Sequence, residues 1–171
     1  MTADGAREAF ADCSPAWAAR AGHVEPVGAQ PIPEDAAELA NRYALIETVQ
    51  RYAYAYDERS LSALRELFTE SVVFSYTVSG GPIGEVRGRD AVIGWLDEIM
   101  ASQADQRRHI VSNIVTQHLG YESATLVAYL ALFSVAATAQ LVTTGFYRFE
   151  LLRQDDRWKI SAVLDGLDRP F

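Results

Sequence analysis

The order of hydrophobic periods along the chain predicts an α+β fold: helices at the N-terminal side covering one face of a curved antiparallel sheet. Three observations predict it. Helical periods come first, beginning at Glu34. Strand alternation takes over after Met100. The late segments are joined by connections too short for βαβ crossovers, so their neighbours should be antiparallel.

Residues 1–33 are rich in Ala, Gly and Pro and end in Pro31-Ile32-Pro33, with no sustained period beyond a short helical stretch around Ala6 to Phe10. They are expected as an arm, anchored by Phe10 and Trp17, outside a single domain spanning 34–171. A long helix is predicted from Glu34 to Tyr56, with Leu39, Tyr43, Ile46, Ala53 and Asp57 on the buried face, so an apolar stripe ends in an acid. Two readings of Asp57 stay open here. Either the carboxyl is carried toward the core, where it could move protons, or it caps the following helix, in which Leu61, Leu64, Leu67 and Phe68 supply the stripe and Ser60 is a second candidate cap.

Ser71 to Val78 alternates, with Phe74, Tyr76 and Val78 on one face, until Gly80-Gly81-Pro82 breaks it. Gly88-Arg89-Asp90 opens another helix, with Asp90 as its expected cap and Val92, Ile93, Leu96, Ile99 and Met100 as its buried stripe. Four strands should follow, at about 108–119, 123–136, 140–153 and 157–164. Gly145 inside the third of these predicts a bulge that bends the sheet.

Composition narrows the function classes. A formal charge of −8 without a basic cluster argues against nucleic acid and anionic membranes as partners. One cysteine, Cys13, permits neither an internal disulfide nor a thiolate cage. The absence of a long apolar run leads to the expectation of a cytoplasmic protein. Three histidines without a short ligand spacing carry no metal signature. There is no Gly-x-Ser-x-Gly elbow, and Gly80-Gly81-Pro82-Ile83-Gly84 lacks the Lys-Ser/Thr of a phosphate loop, so no cofactor is expected.

What remains is one titratable ring among apolar neighbours and many phenols. Alternation places His109 with Val111, Asn113 and Val115 on one face of its strand; taken alone, a His there is more often a hydrogen-bonded structural residue. Most of the eight tyrosines should fill core or cover surface, but a few in a dry pocket could bind a carbonyl or enolate oxygen. Arg148 and Glu150 share a strand face and are left outside the site as an exposed pair.

A long helix ending in Tyr56-Asp57, the strand with Phe74-Ser75-Tyr76, Gly88-Arg89-Asp90, Arg107-Arg108-His109-x-x-x-Asn113 and a closing Asp156-Arg157-Trp158-Lys159-Ile160 strand together resemble the SnoaL-like and scytalone dehydratase-like branch of the nuclear-transport-factor-two-like superfamily, over about Glu34 to Leu167. The resemblance implies a cone-shaped fold with a deep pocket and, by position, catalytic roles for Tyr56, Asp57, Tyr76 and His109. Substrate contacts would fall to Tyr52, Phe74, Asn113, Leu130 and Tyr147. It also marks departures: Leu130 stands where scytalone dehydratase has a second pocket histidine, and Gly145 and Tyr147 where it has Ser and Asn, so the pocket is less polar.

These readings lead to a cofactor-independent acid-base enzyme, a dehydratase, isomerase or cyclase, acting on an apolar oxygenated small molecule such as a polyketide or terpenoid intermediate, in a homodimer as is common among similar proteins. Either Asp57 or His109 could be the base. The rivals are a non-catalytic binding or dimerisation module of the same fold and an epoxide-opening hydrolase, the latter favoured if Arg148 or Asn113 faces the cavity beside Asp57.

Overall fold

A computed structural model describes residues 13–170. The stretch expected to be helical around Ala6 to Phe10 lies outside the described residues. In chain order the elements are α1 (Trp17–Arg20), α2 (Ala36–Asp57), α3 (Leu61–Leu67), β1 (Phe68–Val78), β2 (Gly84–Arg87), α4 (Arg89–Ser102), β3 (Gln106–Leu119), β4 (Ser123–Val135), β5 (Ala139–Gln154) and β6 (Arg157–Leu167).

Helix α2 starts where Asp35 accepts a hydrogen bond from the Glu38 amide at 2.8 Å. Its buried face is Leu45, Val49, Tyr52 and Tyr56, joined by Ala53, Ala55 and Asp57 in the last turns. Leu39 and Tyr43, expected inside, are 60% and 67% exposed. The first turns face the arm instead, through Arg42, which bonds Glu38 on its own helix and Gln30 on the arm. Periodicity finds a stripe but not which half of it the sheet covers. Ser60 does occupy the N-cap position of α3, without a side-chain bond, and Gly88 rather than Asp90 caps α4, whose buried residues are Val92, Ile93, Leu96 and Met100.

The strands form one six-stranded sheet in the order β2-β1-β6-β5-β4-β3. Every pair is antiparallel except β1 and β6, which run parallel with Phe74 opposite Val163 and Tyr76 opposite Asp165. The four-residue β2 has no period long enough to be seen in sequence. The inner face of the curved sheet packs its apolar residues, among them Leu126, Leu130, Phe149 and Val163, with α2 and α4.

Bulges interrupt β3 between Ser112 and Val115, β5 at Val142 and β6 at Ser161. Gly145, the predicted bulge, is instead in register, opposite Leu130 on one side and Leu167 on the other. Its role is close approach: a Cβ there would lie 2.1 Å from the Gly166 carbonyl oxygen.

The described part of the arm lies on the outer face. The Trp17 indole donates to Asp168 at 2.7 Å and packs on Phe146, and the His23 ring stacks on the same Phe146 at 6.1 Å. The expected Trp17 anchor is present. Farther along, Gln30 donates to the Thr116 carbonyl and Gln117 donates to the Glu25 carbonyl.

Candidate active site

The last residue of α2 faces the start of β3. Asp57 ends the buried stripe, and alternation along β3 turns His109 and Val111 inward, opposite Leu132 and Leu130 of β4. The two side chains meet: His109 Nδ1 lies 2.6 Å from Asp57 Oδ1, and the backbone amide of His109 donates to Asp57 Oδ2 at 2.9 Å. Each side chain is 8% exposed. Gln106 donates to the Asp57 carbonyl at 2.7 Å, so the helix end itself is tied to the strand. Asp57 therefore does not act as the cap of α3.

An ionised carboxylate offers only acceptors, so the proton between the pair belongs on Nδ1 and the neutral ring presents its lone pair on Nε2. Nε2 has no hydrogen-bond partner among the described residues and is not sealed from solvent. The edge of Tyr56 meets the His109 ring at 4.7 Å, and the Tyr56 hydroxyl accepts a long 3.3 Å bond from Gln103. Burial raises the Tyr56 phenol, with the Gln103 bond opposing.

A second acid, which sequence reasoning missed, stands on β6. Asp165 is paired in register with Tyr147 on β5 and Tyr76 on β1, all on the inner face. Its Oδ1 is shielded from solvent and has no hydrogen-bond partner among the described residues. Burial raises its pKa to about 7. Burial first and Asp165 second push the Tyr52 and Tyr147 phenols well above the ordinary tyrosine value, and these two hydroxyls are hydrogen-bonded to each other. The signal was present in the alternation of β6, but the bulge at Ser161 shifts its phase, and the predicted strand stopped at Leu164.

That burial has a sign for stability. Because the folded carboxyl holds its proton more tightly than the unfolded one, its contribution is complete at acid pH and is lost as pH rises toward and through about 7. Asp165→Asn should therefore gain thermal stability relative to the native protein between acid and mildly alkaline pH, on the order of a few kcal/mol. Parallel melting curves across that range would refute the burial.

The other expected residues divide. Tyr52 and Tyr147 touch edge to face at 5.8 Å beside Asp165's neighbours, and Leu130 is buried opposite Val111. Phe74 packs on Trp95 at 5.0 Å. Tyr76 stacks on Trp95 at 5.5 Å with its ring over Gly84, where a Cβ would come within 2.2 Å, and it makes no ring contact with the dyad. Asn113 is a correction. It adopts φ 51° at the β3 bulge, which puts Ile114 against the core and leaves Asn113 exposed with Val115 on the outer groove. Arg148, paired with Glu150 at 2.9 Å, is opposite Val127 and Leu164, on the outer side too. Neither residue that would have favoured the epoxide-opening reading faces Asp57.

Two open grooves lie elsewhere, one of about 780 Å³ between α2, α3 and the β5-β6 turn and one of about 670 Å³ under the arm. Neither has Asp57 or His109 on its wall. On the inner side Val111, Ile114, Asp165 and Leu167 keep some accessible surface although they face the core. Among the described residues no group of three His, Cys, Asp or Glu side chains is placed to hold a metal, and no helix is long and apolar enough to cross a membrane.

No curated protein matches. A structure from Novosphingobium aromaticivorans named "putative scytalone dehydratase" is 21% identical, with 77% of this chain and 86% of that one covered at a TM-score of 0.66. A dehydratase-named protein of the NTF2-like family from Streptomyces avermitilis is 15% identical over 77% and 98%, with a TM-score of 0.63. A Mycobacterium tuberculosis protein of unknown function is 20% identical over 77% and 79%, with a TM-score of 0.66. At these identities the likeness is one of fold, which is the NTF2-like, cystatin-like α+β architecture. The SnoaL-like domain family matches residues 37–163, most of the chain, and the protein belongs to that family.

Proposed function

We propose that the protein is a cofactor-independent lyase or isomerase that moves a proton on an apolar, oxygenated small molecule such as a polyketide or terpenoid intermediate. The observation that carries this reading is the 2.6 Å bond from His109 Nδ1 to Asp57, which leaves Nε2 as a positioned base. His109 takes a proton from the carbon next to a carbonyl. Asp57 fixes the tautomer and stabilises the imidazolium that forms, the usual division of labour in such pairs. Tyr56, against the His109 ring, and Tyr76 on the inner face of β1 bind the oxygen on which charge develops. Loss of water, a double-bond shift or ring closure then follows according to the substrate.

The largely apolar surroundings, with Leu130, Val111 and Phe149 on the inner face, match a substrate carrying few polar groups. The dehydratase names of similar folds support the reaction class. The test needs no natural substrate: 2-tetralone, an apolar ketone with acidic α-protons, is incubated with the protein in D2O and followed by proton NMR. Protein-dependent loss of the α-proton signal is the expected result. Exchange no faster than in buffer or with His109→Ala protein would refute the reading.

A further inference from the structure

The mechanism above leaves one buried carboxyl unused. We infer that Asp165 is a further catalytic acid of this site, donating a hydrogen bond and then its proton to the substrate oxygen while His109 removes the carbon-bound proton. Geometry is the ground for it. Asp165 sits on the inner face of β6, with β5 and β4 between it and β3, and Tyr56, whose ring meets His109 at 4.7 Å, is also close enough to feel the Asp165 charge, so the acid and the base flank the same phenol. Its Oδ1 is sealed and unpartnered, which disfavours a full negative charge there, while the residue still keeps accessible surface through which a substrate can meet the carboxyl.

The groups facing it are phenols. Tyr147 and Tyr76 flank it in the sheet, and Tyr52 and Tyr56 approach from α2, close enough to feel its charge. No cation is among the groups perturbing it. A carboxyl in such surroundings keeps its proton at neutral pH and can serve as a hydrogen-bond donor to an oxyanion.

The proton accounting closes. His109 Nε2 takes the α-proton as the C–H electron pair forms the enol double bond, and the carbonyl oxygen receives the proton of Asp165, which becomes a carboxylate. In a dehydration the imidazolium then protonates the departing hydroxyl, the enol O–H bond returns its electrons to re-form the carbonyl, and its proton goes back to Asp165. Water is the only product released besides the unsaturated ketone.

The inference rests on the proton-transfer reading, so its test uses binding rather than turnover. The probes are 2-naphthol, whose hydroxyl mimics the enol oxygen, and naphthalene, titrated by fluorescence into native protein, Asp165→Leu, Asp165→Asn and His109→Ala. Native protein should prefer 2-naphthol by about tenfold, the worth of one good hydrogen bond. That preference should fall as pH is raised past about 7, where the donor is lost. Asp165→Leu should cut it severalfold and remove its pH dependence, with Tyr56 and Tyr76 keeping the remainder. Asp165→Asn, of the same shape and still a donor, should keep it without the pH dependence, and His109→Ala should keep both. An unchanged preference in Asp165→Leu, or a pH-independent one in native protein, overturns the proposal. A preference that tracks Asp165 while 2-tetralone exchange fails would sink the dyad reading and leave the oxygen-binding acid standing.

Discussion

Asp57→Asn should lower 2-tetralone exchange by about two to four orders of magnitude with the fold intact, the loss expected when a positioned base is misdirected. The reason lies in the two bonds that Asp57 makes. The carboxylate accepts from His109 Nδ1 on one oxygen and from the His109 backbone amide on the other. An asparagine has one acceptor and one donor, and the backbone amide has no alternative tautomer. If the amide oxygen faces Nδ1, two N–H donors oppose each other at the backbone. If it turns to satisfy the backbone, its NH2 forces the proton of His109 onto Nε2, and the base disappears. His109→Ala should cost a similar factor, and the double variant little more than either single one, because the residues act as a unit. Exchange rates by NMR, beside circular dichroism of each variant, check this. Native-like rates in both folded variants would remove the dyad from the mechanism.

Gly145→Ala should cost about 3 kcal/mol of stability, or roughly 6–12 °C in melting temperature for a chain of this size. A methyl group at this position would stand 2.1 Å from the Gly166 carbonyl oxygen and 3.1 Å from Leu167 Cα. Both are backbone atoms of β6, so relief requires moving the strand that carries Asp165 rather than turning a side chain. Thermal unfolding measures the cost directly. A variant that melts with the native protein would show that the two strands are less closely apposed than described.

The sequence carried the elements and the dyad because both rest on local regularities. The stripe of α2 ends at Asp57, and two-residue alternation at the start of β3 puts His109 inside before any irregularity intervenes. What sequence reading lost lies beyond bulges. One extra residue in β3 sends Asn113 outward and Ile114 inward, and one at Ser161 conceals Asp165 behind a change of phase. Neither bulge has a glycine to announce it, whereas Gly145, which looked like one, is in register. The exposure of Leu39 and Tyr43 is of another kind: it depends on where the sheet ends, which no period encodes.

The parallel seam between β1 and β6 bears on how the molecule comes into being. Phe74 and Val163, partners across it, are 89 positions apart, so the seam cannot close during synthesis until Val163 and everything before it has left the ribosome. Contacts of such separation slow folding, because a long loop must be closed before they repay its entropy. The histidine-carboxylate pair joins segments that both precede β6, so it does not wait on that long loop, whereas the strand bearing the second acid does.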